Sequence, residues 1–138
     1  MQKRYARLLA ILLCLTMLLG LSAQAAEPYA SSLISGHSAT LTKGSDGYLH
    51  VTFTIDANRV CDVIGATSVV IQRKNGSQWD TECTFTLTNT PELQDTNTSY
   101  HSLIIKYKPQ SSSATYRAQV NLYAKCGSLT STVTDTTT

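Results

Sequence analysis

The chain has 138 residues and a formal net charge of +2, and three of its basic residues, Lys3, Arg4 and Arg7, sit at the extreme N-terminus. Without those three the balance falls from +2 to −1, and Arg73-Lys74 is the one adjacent basic pair left. A near-neutral remainder with no Lys/Arg cluster excludes the electrostatic footprint of a nucleic-acid or anionic-lipid binder.

Residues 1–25 read as a secretory signal peptide. A short basic start leads into an apolar core, residues 8–21, broken only by Thr16 and Gly20, and Ala23-Gln24-Ala25 supplies the small residues a signal peptidase requires. The apolar run falls short of the ~20 residues a membrane-spanning helix needs. Cys14 lies inside that core behind Ile11-Leu12-Leu13, not behind the small residues of a lipid-anchor site. Residues 26–138 are therefore expected to be a secreted, extracellular single domain without membrane insertion.

Within that domain the strand signals dominate. Residues 33–42 form a first expected strand and Lys43-Gly44-Ser45-Asp46-Gly47 a turn. Residues 48–56 alternate strictly, with Leu49, Val51, Phe53 and Ile55 on one side and His50, Thr52 and Thr54 on the other, the pattern of a half-buried strand. Residues 57–65 are the one stretch that could hold a helical turn. Residues 67–74 read as a strand, Asn75-Gly76 as a hairpin turn, and residues 78–86 as the returning strand, with Trp79 near its start. Residues 87–98 show no periodicity and read as a loop. Residues 99–108 form a strand with Leu103, Ile105 and Tyr107 inward, and residues 109–114 a loop. Residues 115–125 are the clearest strand: Tyr116, Ala118, Val120, Leu122 and Ala124 line one face, and Arg117, Gln119, Asn121 and Tyr123 the other. Cys126-Gly127-Ser128 then turns the chain into a last, Thr-rich strand. About seven short antiparallel strands with frequent turns define an all-β class and point to a two-sheet β-sandwich.

Chemistry-bearing clusters are sparse. His37, His50 and His101 show no metal-ligand spacing, and zinc needs three or four ligands converging on one point, so no metal and no cofactor is expected. Asp80 and Glu82 share a strand face expected to meet solvent, and Glu92 and Asp95 sit in the loop, so no pair of carboxyls faces across a cleft. Nucleophile-elbow, phosphate-loop and nucleotide motifs are missing from the sequence. Asn75-Gly76-Ser77 and Asn97-Thr98-Ser99 match glycosylation sequons. Three cysteines remain after the signal segment, Cys61, Cys83 and Cys126. In an oxidising compartment two should pair and one be left over. Each pairing would stabilise by roughly 3 to 4.5 kcal/mol, so energetics do not choose among them.

Tyr116-Arg117-Ala118-Gln119-Val120 resembles the sixth strand of fibronectin type III and related immunoglobulin-like domains, where a tyrosine opens the strand and forms a corner. Ile64-Gly65, Ser68-Val69-Val70-Ile71, Asn75-Gly76-Ser77 and Trp79 resemble the third strand and hairpin of small secreted bacterial domains of that type. The resemblance spans roughly residues 30–137 and implies a fold, not an activity. In that fold the loop carrying Cys61 and the turn carrying Cys126 lie at one end, which implies a Cys61–Cys126 disulfide, with Cys83 bonded to either partner as the alternative.

The expected function is non-enzymatic recognition or adhesion toward an extracellular protein or glycan. The expected contact face comprises Arg117, Gln119, Asn121 and Tyr123, joined by Gln72 and by Val70 as an exposed apolar residue; Tyr and Arg are enriched in contact hot spots. The loop at 87–98 is an equal candidate, because binding loops on rigid sandwiches are common. The rival class is a small secreted enzyme or enzyme inhibitor using a reactive cysteine or that loop. A monomer is expected, with a disulfide-linked dimer through the third cysteine as the variant.

Overall fold

The computed structural model describes residues 33–138, so the signal-peptide reading of residues 1–25 lies outside the described residues. The described chain is nearly all β. Its strands are β1 Ile34–Lys43, β2 Leu49–Cys61, β3 Val63–Asn75, β4 Gln78–Thr86, β5 Gln94–Asp95, β6 Thr98–Tyr107, β7 Tyr116–Cys126 and β8 Leu129–Thr137. They build two antiparallel sheets: a three-stranded one ordered β1-β2-β6, and a five-stranded one ordered β4-β3-β7-β8 with β5 also on β3. The two sheets pack as a sandwich, with β8 opposite β1, β7 opposite β2 and β3 opposite β6.

Alternating apolar residues make the core. Leu49, Val51, Phe53 and Ile55 of β2 meet Ala118, Val120, Leu122 and Ala124 of β7 and Ile64, Ala66, Val69 and Ile71 of β3. Tyr116 opens β7 and is buried, and its hydroxyl donates to the Ser111 carbonyl at 3.0 Å and accepts from the Ser111 N–H at 3.2 Å. That pair of bonds pins the β6–β7 loop to the first residue of the strand.

In the five-stranded sheet two β-bulges reset the alternation. On β3 the inward set runs Ile64, Ala66, then Val69, Ile71, because the register against β7 slips between Ala66 and Ser68. On β4 the register slips between the partners of Ile71 and Gln72, which leaves Glu82 as the extra residue beside Cys83. A bulge places neighbouring residues against one partner and re-aims a side chain.

Several expectations change accordingly. Residues 57–65 hold no helical turn; they complete β2 and begin β3, and Ala57 and Ile64 take part in sheet ladders. The stretch 87–98 is more than a loop. It contains a one-turn 3-10 helix, Pro91–Leu93, and strand β5, whose residues pair with Ile64 and Gly65. The hairpin turn lies one position further than the Asn-Gly signal implies: Asn75 pairs with Gln78, leaving Gly76 and Ser77 in the turn. Gly76 carries φ +59° at the first turn position, the backbone region that only glycine enters without strain.

Cys61 at the end of β2 is bonded to Cys126 at the end of β7, with their Cα atoms 4.2 Å apart. The bond therefore joins the two sheets at one end of the sandwich, and Cys83 is free and half-buried.

Candidate functional site

The outer face of the five-stranded sheet carries all six expected contact residues. β7 contributes Arg117, Gln119, Asn121 and Tyr123, and the register sets Gln72 beside Arg117 and Val70 beside Gln119. All six are half-buried by their neighbours. Val70 is thus not the exposed apolar residue expected from sequence: as an inner-strand residue between β4 and β7, its flanks are covered by Thr84 and Gln119.

Hydrogen bonds across the strands hold this face in one arrangement. The Arg117 Nε–H donates to Gln72 Oε1 at 2.7 Å, and the guanidinium lies 4.5 Å over the Trp79 ring, a cation–π contact. Asn121 donates from Nδ2 to Ser68 Oγ at 2.8 Å and accepts from Thr134 Oγ1 at 2.9 Å. Side chains fixed in this way lose little conformational freedom on meeting a ligand. The sequence places Trp79 on its strand without joining it to the face. Its register partner, Lys74, two residues along β3 from Gln72, is the signal that could have done so.

The loop alternative is more tightly tied down than its sequence suggests. Leu93 is fully buried, and His101 Nε2 lies 2.9 Å from the Glu92 carbonyl oxygen, with the His101 ring tilted against Phe53. The other two histidines sit apart, each against an aspartate: His37 Nδ1 is 3.3 Å from Asp135 and His50 Nε2 is 3.1 Å from Asp46. Lys106 Nζ also approaches Asp46 at 3.4 Å. The Tyr48 backbone N–H, with help from His50 and Lys106, holds the Asp46 carboxyl below its usual range. Among the described residues no three His, Cys, Asp or Glu side chains converge on one point.

One polar cluster was not anticipated. Glu82, expected on a solvent face with Asp80, instead points between the sheets, and its side chain is only 4% exposed. Asp80 pairs with Arg73, which pairs with the buried Tyr116, so the face that Asp80 and Glu82 share turns inward, and the β4 bulge sets Cys83 on that same side. The carboxylate receives the Tyr107 hydroxyl on Oε2 at 3.1 Å. Arg73 Nε stands 3.0 Å from Oε1, yet Oε1 has no partner aligned as a hydrogen bond, so this contact is an ion pair by distance alone. Burial, reinforced by Glu82, pushes the Tyr107 hydroxyl up to about 12. Burial also raises the Cys83 thiol, which lowers the thiolate fraction a nucleophile needs.

A pocket of about 180 Å³ opens at the sandwich end away from the disulfide, floored by Leu41, Leu49 and Tyr116 and rimmed by Lys43, whose ammonium donates to the Ser112 carbonyl. No expected site residue lines it. Among the described residues no helix is long and apolar enough to cross a membrane. No family model, no curated protein and no solved structure matches this chain.

Proposed function

We propose that the protein is a secreted, non-enzymatic module of immunoglobulin-like or fibronectin type III-like type that recognises a protein or glycan outside the cell. The observation that carries this reading is the ordered outer face of the five-stranded sheet, where Arg117, Gln72, Asn121 and Ser68 are fixed by mutual hydrogen bonds. Half-buried Tyr123 stands in the same row. Supporting the domain type are the β1-β2-β6 and β4-β3-β7-β8 strand orders and the Tyr116 hydroxyl bonded back to Ser111. The inter-sheet disulfide suits an oxidising, extracellular setting. The raised thiol of Cys83 weighs against the cysteine-dependent enzyme or inhibitor.

The test is a screen of the purified domain against arrays of extracellular proteins and glycans, repeated with Tyr123→Ala. A hot-spot tyrosine contributes about 2 kcal/mol, so the variant should bind roughly 30-fold more weakly at an unchanged melting temperature. An unchanged affinity, or a lowered melting temperature, would remove Tyr123 from the contact face and make it a packing residue.

A further inference from the structure

The two sheets are of unequal width, and among the described residues no strand pairs with the free edge of the narrower one. β6 ends the three-stranded sheet. It pairs without interruption from Tyr100 to Tyr107 against β2. The other sheet edges carry the devices that discourage strand addition. β1 slips register between Ile34 and Gly36, β4 is bulged at Glu82, and β8 directs Asp135 inward against His37. On β6 the outward row holds one charge, Lys106, and two large apolar side chains four residues apart, Tyr100 at 50% and Ile104 at 60% exposure.

The backbone direction of this edge is legible from one local motif. The Thr98 hydroxyl donates to the Tyr100 carbonyl at 3.2 Å and accepts the Tyr100 N–H at 3.3 Å. Both main-chain groups of Tyr100 therefore point away from β2. By the two-residue period of a strand, those of Ser102, Ile104 and Lys106 do too. Thr98 satisfies the first pair, and the next three face outward along the edge.

Beneath this edge lies a shelf. β3 is the strand opposite β6, so β4 projects beyond it. The inward-facing side chains along the opening, Cys83 and Phe85 on β4 and Leu103 and Tyr107 on β6, pack against the core yet stay only half-buried. A strand laid against β6 would pair with its outward main chain and cover these four side chains together. A second copy pairing β6 to β6 does not fit, because its own five-stranded sheet would occupy the space that β4 fills. The shelf is one strand wide.

We propose that the β6 edge is an acceptor for a single extended segment of a partner protein, which adds a fourth strand to the β1-β2-β6 sheet. The segment alternates: apolar side chains of small or medium size face Cys83 and Phe85, and the intervening ones run beside Ile104. Exposed Lys108 makes the far end of the edge positive, so an acidic residue suits the segment there. This is strand addition, in which main-chain bonds supply affinity and alternate side chains supply selectivity. It concerns a different surface from the outer face of the five-stranded sheet, and each could fail without the other.

The experiment is selection from a phage library of random nonapeptides on the immobilised, folded domain. Synthetic versions of the enriched sequences are then titrated against the wild type, Ser102→Pro and Ile104→Asp. Proline at 102 deletes one outward N–H and no internal ladder bond, and it is tolerated on a sheet edge. Enriched peptides should alternate apolar and polar residues, lose at least tenfold affinity for both variants, protect the amides of Ser102, Ile104 and Lys106 from exchange, and slow alkylation of Cys83. Melting temperatures of the variants establish that they fold, and Ile104→Asp, on an exposed position, serves if Ser102→Pro does not. The proposal is overturned if no alternating sequence is enriched, if enriched peptides bind both variants normally, or if protection appears elsewhere. It is equally overturned if the domain self-associates through these same amides, since that would make a second copy the occupant.

Discussion

Replacing Arg73 by methionine should show how much its ion pair with Glu82, on the neighbouring strand of the same sheet, contributes. Exposed ion pairs are worth about 0–1 kcal/mol, whereas removing one partner of a buried pair costs about 3–5 kcal/mol. Here the two side chains differ: Glu82 is 4% exposed and Arg73 37%. The carboxylate is desolvated but its counter-charge is half in water, so the expected loss for Arg73→Met is about 2 kcal/mol, between those limits. Glu82→Leu should cost a similar amount, because it strands the Tyr107 hydroxyl as well. The double variant Arg73→Met/Glu82→Leu leaves no uncompensated charge and should lose about 2 kcal/mol, not the sum of about 4. Urea unfolding followed by the fluorescence of Trp79, the sole tryptophan, measures all four proteins. Trp79 lies under the Arg117 guanidinium in the folded state, so its emission should change on unfolding. If the two single losses simply add within about 0.5 kcal/mol, Arg73 and Glu82 are not coupled and the account of Arg73 as the counter-charge of a desolvated carboxylate is wrong.

Three further outcomes rest on the disulfide, on Tyr107 and on Gly65. Cys61 and Cys126 are 65 residues apart, so the chain-entropy relation gives a stabilisation of about 4 kcal/mol, and Cys61→Ala/Cys126→Ala should lose most of it in urea unfolding. Tyr107 holds its proton up to about 12 in the folded protein against an ordinary value near 10, so its contribution is complete below pH 10 and is lost as pH rises toward 12. Tyrosinate absorbance should accordingly show one late-titrating residue that disappears in Tyr107→Phe. At Gly65, φ is +147° and a Cβ would come within 2.1 Å of the Leu93 carbonyl oxygen, so Gly65→Ala should free the Pro91–Asp95 segment and expose it to limited proteolysis while β6 and β7 stay protected from exchange.

The regular strands could be read residue by residue. β7 alternates along its length up to Ala124 and β2 from Leu49 to Ile55, so period two alone identifies Leu49, Val51, Phe53 and Ile55, and Tyr116 through Ala124, as inward. The outer row from Arg117 to Tyr123 followed from the same count. Reading failed where a bulge changes the period. The inward set of β3 shifts phase at Thr67, so only its second half looked like a strand and residues 57–65 looked like a possible turn. Glu82 does share a face with Asp80, as counting by twos expects, but that face is the inward one, because Asp80 pairs with Arg73 and Arg73 with the buried Tyr116, a long-range register that the sequence does not show. Strand β5 escaped because two residues carry no periodicity, and only their pairing with Ile64 and Gly65 defines them.

The sequence by itself determined that residues 33–138 form antiparallel strands with one apolar side each, because side-chain alternation and turn chemistry act over a few residues. It also supplied three cysteines whose loop entropies are too similar to rank. Which two pair, which strands stand at the edges, and that β4 reaches past β6 were decided by the tertiary structure. Those properties depend on how far each sheet extends and where each bulge falls, and such distances arise only between segments remote in the chain. The disulfide joining the sheet ends, the Glu82–Arg73–Tyr107 tie and the open β6 edge all come from that packing.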